Sequence, residues 1–577
     1  VIVDVAVIGG GPAGSTLATL VKKYAPELRV AIFEREVFPR DHVGESQLPV
    51  ISLVLDEMGC WDKVEAANFP IKIGATYRWG KTPELWDFEF IPGTQFRDEP
   101  RPAQFTGQRR KTAFQVDRAV YDKILLDHAK EAGCEVCEGV RVLEIEREGD
   151  AATGLTLDSG TRVQARYYVD ASGHSGILRR AVGVKTDSPT SLQNIAIWDY
   201  WQNADWAVEI GVGGTRIQVL SLDYGWLWFI PLSPTRTSVG LVIPAEYYKA
   251  SGSRPEDLYA KALQEDGMIR GLMATAVSEN KLATTKDWSF LAERHCGHNW
   301  FLVGESGGFA DPILSAGLSM SHFGAREGAY TILELERNRH DASWLKSEFN
   351  RRQAQRIQSH IRFADYWYTA NEQFRDLQAF TAQIASERGL ALSPESAWAW
   401  LAQGGFIDED FQVGIAGFSI TSIKQMGEFL TDMSGATQVE SNNVFRLDLV
   451  GASKTEAAHY AGGEITRKTC YVRENRLLPV EGVFDFLLFI LQRESNLPDI
   501  LRRIRAEVPK HANDPVFRTS VLPFLSQGLE ALVSDGWVHA KYDPSLPRVP
   551  LNPEIVHVHR NTDNRVLDAT ATAPETH

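Results

Sequence analysis

Lys72 stands in "FPIKIGATYRWG", a lysine framed by apolar residues. An ammonium carried into such a frame loses hydration, which favours the neutral amine and makes it a nucleophile. Taken alone, the pattern is more often a surface lysine on an edge strand, because lysine is rarely buried. A second stretch, "GWLWFIPL", sets Trp226 and Trp228 one residue apart. On an extended strand that spacing puts both indoles on one face. By itself this is most simply ordinary aromatic core. A third stretch, "VDVAVIGGGPAGSTLATLVKKY", runs an apolar strand into Gly9, Gly11, Ala13 and Gly14 and on into a helical pattern. Glycines at this spacing permit a tight turn, close approach of the backbone to a pyrophosphate and tight helix packing, while the helix N-terminus offers free N–H groups to the anion. About twenty residues further on, "RVAIFERE" is a second apolar strand that ends in Glu34, an acid placed to accept hydrogen bonds from ribose hydroxyls. Strand, glycines, helix and acid in this order make a dinucleotide site.

The elements that hold these residues belong to a large chain. It has 577 residues, of which 44% are hydrophobic and 23% charged, an ordinary globular composition with room for two or three domains. The formal net charge of -15 argues against a nucleic-acid partner, which needs a basic surface. Cys134 and Cys137 form a lone CxxC without a second pair, too little for a metal or redox site. The longest apolar stretch, "GVFDFLLFIL", is short for a bilayer span and carries Asp485. A cytoplasmic location with no membrane association is the expectation.

Two more stretches follow apolar strands: "RYYVDASGHSGILRR", with Asp170, and "NWFLVGESGGFADPILSAGLSMS", with Gly304, Glu305 and Asp311. With the glycine fingerprint they resemble the glutathione-reductase-type flavoproteins of the p-hydroxybenzoate-hydroxylase-like branch. The resemblance implies FAD, with Glu305 standing where the branch normally has an aspartate for the ribityl chain. "AFQVDRAVYDKILLDHA" also matches that branch and places Arg118 on the adenine and pyrophosphate side.

Within the branch, Trp226, Trp228, Ile230 and Pro231 match the WxWxIP signature of flavin-dependent halogenases, and Lys72, Gly74 and Trp79 match their KxGxxxxW stretch. The resemblance implies a lysine that receives hypohalous acid, aromatic side chains that keep organic substrate away from the flavin, and a halide held by backbone N–H groups at Ala316 and Gly317. It also brings Glu45 of "HVGESQLP" close to the flavin as a catalytic candidate. In tryptophan halogenases a glutamate precedes the Ser-x-Gly of the halide stretch; here that position is Leu314, which speaks against free tryptophan as substrate. Some relatives with a long C-terminal appendix attach the flavin to an aspartate, and Asp287 of "TTKDWSFLAERH" is the candidate here.

The expected architecture is α/β: a Rossmann-like βαβ FAD domain over residues 1–370, with an inserted mixed or antiparallel substrate-side sheet drawn from about 71–115 and 190–250. A mainly helical domain follows over 371–577. It includes "SVLPFLSQGLEALVSDGWVHAKY", a helix turning through Gly536 into a wing-like strand, and it ends in a polar tail. Such an appendix resembles that of the chloramphenicol-biosynthesis type of halogenase. The implied activity is FADH2-dependent chlorination or bromination in natural-product biosynthesis, on a carrier-tethered acyl, phenolic or pyrrolic substrate. With no second GxGxxG for a nicotinamide, a separate flavin reductase is the expected partner. The competing readings are a monooxygenase or geranylgeranyl-reductase-like flavoenzyme on the same fold, and a flavin-containing interaction protein without local chemistry.

Overall fold

The structure is a computed structural model that describes residues 1–188, 193–286, 289–379, 382–383, 414–415, 418–430, 437–474, 476–511, 515–547 and 558–561. Asp287 and the polar tail after residue 561 therefore lie outside the described residues. The chain divides into two compact units. One is Val1–Glu387 with Gly462–Glu464 and His559–His577, and the other is Arg388–Ala461 with Ile465–Val558. The expected division near residue 370 falls inside the first unit.

The first unit holds two large sheets. In the first, Glu135–Glu138, Val30–Glu34, Ile2–Ile8, Arg162–Asp170 and Trp300–Leu302 run parallel, and Ala151–Leu157 and Val142–Glu148 continue the sheet antiparallel. Central strands of a parallel sheet are covered on both faces and read as continuous apolar runs, which is how Ile2–Ile8 and Val30–Glu34 read. Helix Pro12–Tyr24 connects those two strands, with Pro12 in its first turn where no N–H is needed. The long helix Gly317–Arg337 packs beside it, and the two share one buried cluster that includes Leu17, Val21, Ala325 and Ala329.

The second sheet has the order Val277–Ser278, Asn194–Gln202, Arg236–Pro244, Gly225–Pro231, Gly214–Leu222, Ile71–Arg78, Trp86–Glu89, with Ala113–Phe114 also pairing Ile71–Arg78. Gly214–Leu222 and Ile71–Arg78 pair in parallel and the other central pairings are antiparallel, so the sheet is mixed, as expected from the sequence. Along the parallel pair Thr215 faces Lys72, but Arg216 faces Gly74, which leaves Ile73 as an extra residue in a bulge. Facing residues share a side of a sheet. Lys72 thus shares the side of Thr215, Ile217 and Val219, whereas Gly74 and Thr76 share the side of Arg216 and Gln218.

In the second unit, helices Ile420–Leu430, Gly482–Leu491, Leu497–His511 and Pro515–Ser534 accompany short strands. Pro515–Ser534 turns through Gly536, whose φ of 73° lies in the left-handed region, into Val538–Lys541. That strand pairs antiparallel with Val444–Leu447, and a further antiparallel pairing sets Cys470 opposite Pro479. Buried Lys424 and Glu530 form an ion pair between two of the helices. Among the described residues no helix is long and apolar enough to cross a membrane, and no cluster of three His, Cys, Asp or Glu side chains could hold a metal.

Candidate functional site

A cavity of about 520 Å³ lies in the first unit and takes its walls from both sheets. The first sheet and its loops contribute Gly9, Gly11, Ala13, Glu34, Arg40, Glu45 and Arg118. The second contributes Ile217, Val219, Trp226, Trp228 and Ile230 from its inner side, and the segment after Trp300–Leu302 adds Glu305, Phe309, Ser315 and Gly317.

The walls fit the FAD implied by the sequence. Gly9 has a φ of 105°, and a Cβ there would meet the carbonyl oxygen of Ala171 at 2.4 Å. A Cβ on Gly14 would lie 2.0 Å from the oxygen of Gly9. Gly14 is thus a packing residue that lets the helix sit against the turn. Gly11, by contrast, would meet only Arg40 Nη2, at 3.6 Å, and leaves its backbone open to a ligand. Glu34 is buried, and its oxygens accept N–H bonds from Gly10 (2.7 Å) and Glu36 (2.8 Å), which fixes a carboxylate with lone pairs to spare for hydroxyl groups. Arg118 and Arg40 bring positive charge to the cavity wall. Arg118 holds Asp122 with two nitrogens (2.7 and 2.9 Å) and donates to the carbonyls of Val43 and Gly44, and Arg40 joins the same Asp122 at 2.9 Å.

Three residues assigned to the cofactor from sequence stand behind the lining. Asp170 accepts from the backbone and hydroxyl of Ser172 and the backbone of Arg179, closing its own turn. Gly304, with a φ of 63°, lets the chain turn where a Cβ would press on Ala13 at 3.0 Å. Asp311 caps the turn at Pro312–Leu314 through the Ile313 N–H (2.9 Å) and accepts from Asn194 and Tyr368, while burial pushes its carboxyl up to about 7. Glu305 does face the cavity. Burial pushes its carboxyl upward, but a hydrogen bond from His174, whose Nδ1 lies 3.3 Å away, and nearby positive charges outweigh that and hold it below the usual carboxylate value.

Trp226 and Trp228 both line the cavity, with ring centroids 6.1 Å apart. Trp226 donates its indole N–H to Tyr368 Oη at 2.7 Å and Trp228 to Ser238 Oγ at 3.1 Å. Directly across the ladder from Trp228 is Gly240, where a Cβ would lie 2.2 Å from the indole ring. A glycine inside a strand marks such a close approach, a signal available in the sequence that points to Trp228 only once the register is known. Tyr368 and Ser238 carried no local signal at all.

Lys72 is 2% exposed, and burial brings its ammonium down to about 7. Its Nζ lies 3.4 Å from Ser315 Oγ and 5.6 Å from the centre of the Phe90 ring. Ser315 lines the cavity, so one hydroxyl separates that space from the amine. Trp79, buried, donates to the carbonyl of Trp367 at 2.8 Å, and Gly74 allows Phe88 to approach. Glu45 is buried in the wall, accepts from Tyr200 Oη at 3.1 Å, and is pushed by burial up to about 7. Gly317 opens helix Gly317–Arg337 at the cavity, with Ala316 buried at its N-cap, and Leu314 is buried as well. Cys134 and Cys137 are free thiols.

Comparison with known proteins identifies the family. The chain is 33% identical over 338 residues to the tryptophan 2-halogenase of Chondromyces crocatus, a match that covers 57% of this chain and only 60% of that relative's length. It is 32% identical over 349 residues to the 1H-pyrrole-2-carbonyl-[peptidyl-carrier protein] chlorinase of Pseudomonas fluorescens, covering 58% and 76%. Among solved structures, the myxobacterial chondrochloren halogenase CndH superposes with a TM-score of 0.58 at 28% identity, covering 75% of this chain and 97% of that one. The flavin-dependent halogenase CmlS shares the fold over 96% of this chain and 99% of its own, with a TM-score of 0.70 at 21% identity. The family model described as tryptophan halogenase matches residues 4–111 and 93–384, more than half of the chain. The chain, with its cavity between two sheets, paired tryptophans and buried lysine, belongs to the tryptophan halogenase family of flavin-dependent halogenases.

Proposed function

We propose that this chain is a FADH2-dependent halogenase that oxidises chloride or bromide in the flavin cavity and delivers hypohalous acid to Lys72. The bound reduced flavin, supplied by a separate reductase, would activate O2 for oxidation of the halide. The N–H groups at Ala316 and Gly317, at the start of a 21-residue helix, are donors suited to an anion. Trp226 and Trp228 fill the wall with apolar surface and keep organic substrate off the flavin. Lys72 then holds the oxidant, either by hydrogen bonding or as a chloramine formed with release of water.

The observation that carries this reading is the buried Lys72 amine, separated from the cavity by the Ser315 hydroxyl. Held near pH 7 by burial, a large fraction of it is a free amine at neutral pH.

Leu314 removes the carboxylate that would polarise a free indole, and the relative that acts on a pyrrolyl group on a carrier protein favours a tethered acyl, pyrrolic or phenolic substrate. Intact-mass analysis of carrier-bound and free acceptors after incubation with FADH2, O2 and bromide selects among these. The test of Lys72 is Lys72→Ala. This variant is expected to bind FAD, consume FADH2 and release oxidised halide to a trapping reagent, but to lose product by several orders of magnitude. Lys72→Arg is expected not to rescue it, since guanidinium stays protonated. Halogenation by Lys72→Ala at the wild-type rate would return the chain to a monooxygenase-like reading.

A further inference from the structure

The wall between the flavin cavity and Lys72 contains polar groups that none of the roles above uses. Lys72 faces Ala113, and Ile71 faces Phe114, across an antiparallel pair. Two residues along from Ala113, Gln115 continues that strand, its N–H donating to Pro70 at 3.0 Å. On its other side Gln115 forms an antiparallel bridge with Ser46. That bridge is flanked by bonds from Gln47 N–H to Phe114 and from Val116 N–H to Glu45, at 3.1 and 2.8 Å. Facing residues share a side, and alternate residues return to it. Lys72, Ala113, Gln115 and Ser46 therefore share one side. Phe114 points to the other, where its ring meets Trp61 at 5.3 Å and Phe69 at 6.4 Å in the apolar core. The shared side is the flavin side, because Ser46 lines the cavity and Lys72 reaches Ser315 there.

Gln115 is 0% exposed, yet neither its amide nitrogen nor its amide oxygen has a hydrogen-bond partner among the described residues. The hydroxyl of Ser46 is likewise buried and unpartnered. Buried polar groups are nearly always satisfied, and each exception calls for a cause. Here one donor–acceptor amide and one hydroxyl sit on the same side of the strands as Lys72. Ala113, directly across from Lys72, puts a small side chain beside the amine, and Gln115 follows one strand repeat of about 7 Å further along.

We propose that Gln115 and Ser46 form a binding site for neutral hypohalous acid on its way from the flavin cavity to Lys72; the inference rests on the halogenase reading above. The amide selects this species by its chemistry. A molecule with one O–H and one oxygen lone-pair acceptor can donate to Oε1 and accept from Nε2 together, whereas a halide or hypohalite anion offers nothing to the carbonyl. Gln115 thereby keeps the oxidant in line with the amine and retards its escape to solvent.

The experiment compares wild type with Gln115→Leu and Ser46→Ala, using bromide, FADH2 and O2. The acceptor is the one selected by the mass analysis, and a small β-diketone in solution serves as trap. Two quantities are read: halogenated acceptor per FADH2 consumed, and trapped oxidant per FADH2 consumed. Gln115→Leu is expected to lower the first about tenfold while the second rises to match, with flavin affinity and melting temperature unchanged. Ser46→Ala is expected to act in the same direction with a smaller effect. Should Gln115→Leu not fold, Gln115→Met provides the same loss of the amide. Wild-type partition in the Gln115 and Ser46 variants would overturn the site, leaving it a place for water only. A fall of both quantities together would also overturn it and make Gln115 structural. Wild-type protein that gives neither product nor trapped oxidant would instead refute the halogenase reading itself.

Discussion

Lys72 offers a test that needs no substrate. Its side chain is 2% exposed, and burial lowers its ammonium to about 7 from the ordinary 10.5. The gap is the free-energy cost of holding the charge inside the fold, about 5 kcal/mol. Below about pH 7 lysine is charged in both states and the fold bears the full cost. Between about 7 and 10.5 the unfolded chain binds more protons than the folded one, so stability rises with pH and the cost fades. Lys72→Met keeps the length of the side chain and removes the charge. It is expected to be more stable than wild type at the acidic end by up to about 5 kcal/mol, or about 6 °C in melting temperature for a unit of this size. The gain should shrink toward zero as pH approaches the ordinary lysine value. Thermal unfolding of both proteins over a pH series that brackets the two values measures it. A variant no more stable at the acidic end, or a gain that does not decline with pH, would refute the buried free amine and the chemistry built on it.

Two further substitutions probe the cavity wall. Gly240→Ala places a methyl group 2.2 Å from the Trp228 ring, and the overpacking should cost about 1–3 kcal/mol and weaken FAD binding; flavin fluorescence titration at wild-type affinity would show that Trp228 does not shape the site. Gly317→Val brings a branched side chain to a point 3.0 Å from the Phe309 ring beside the proposed halide donors, and should release hydrogen peroxide in place of halogenated product. Unchanged product per FADH2 in that variant would remove the halide site from this turn.

What the sequence could disclose was local. Gly9, Gly11 and Glu34 are joined by a single strand–helix–strand unit, and the pairing of Trp226 with Trp228 follows from the two-residue period of one strand. The remainder depends on contacts between distant segments. Tyr368 lies 142 positions from the Trp226 indole it accepts from, and Ser315 lies 243 from Lys72. The unsatisfied amide of Gln115 is visible only when packing on every side is known. Asp311 has the residue type and spacing of a cofactor ligand, yet its oxygens are spent on Ile313, Asn194 and Tyr368. A spacing motif reports which residues travel together and is silent on which way each one points.

The bulge at Ile73 shows how much that silence conceals. Counting alternation back from Gly74 assigns Lys72 to the side of the sheet where Arg216 meets Asp87 and Glu89 at 3.0 and 2.8 Å. An amine there would join two carboxylates, remain an ammonium, and be chemically mute. One surplus residue moves it across the sheet. In this strand, reactivity is written in chain length as much as in residue identity. Deleting Ile73 would remove the surplus and leave Lys72 facing Thr215 on the same side, whereas one residue inserted between Thr215 and Arg216 would pair with Ile73 and carry the lysine to the carboxylates as a counterion.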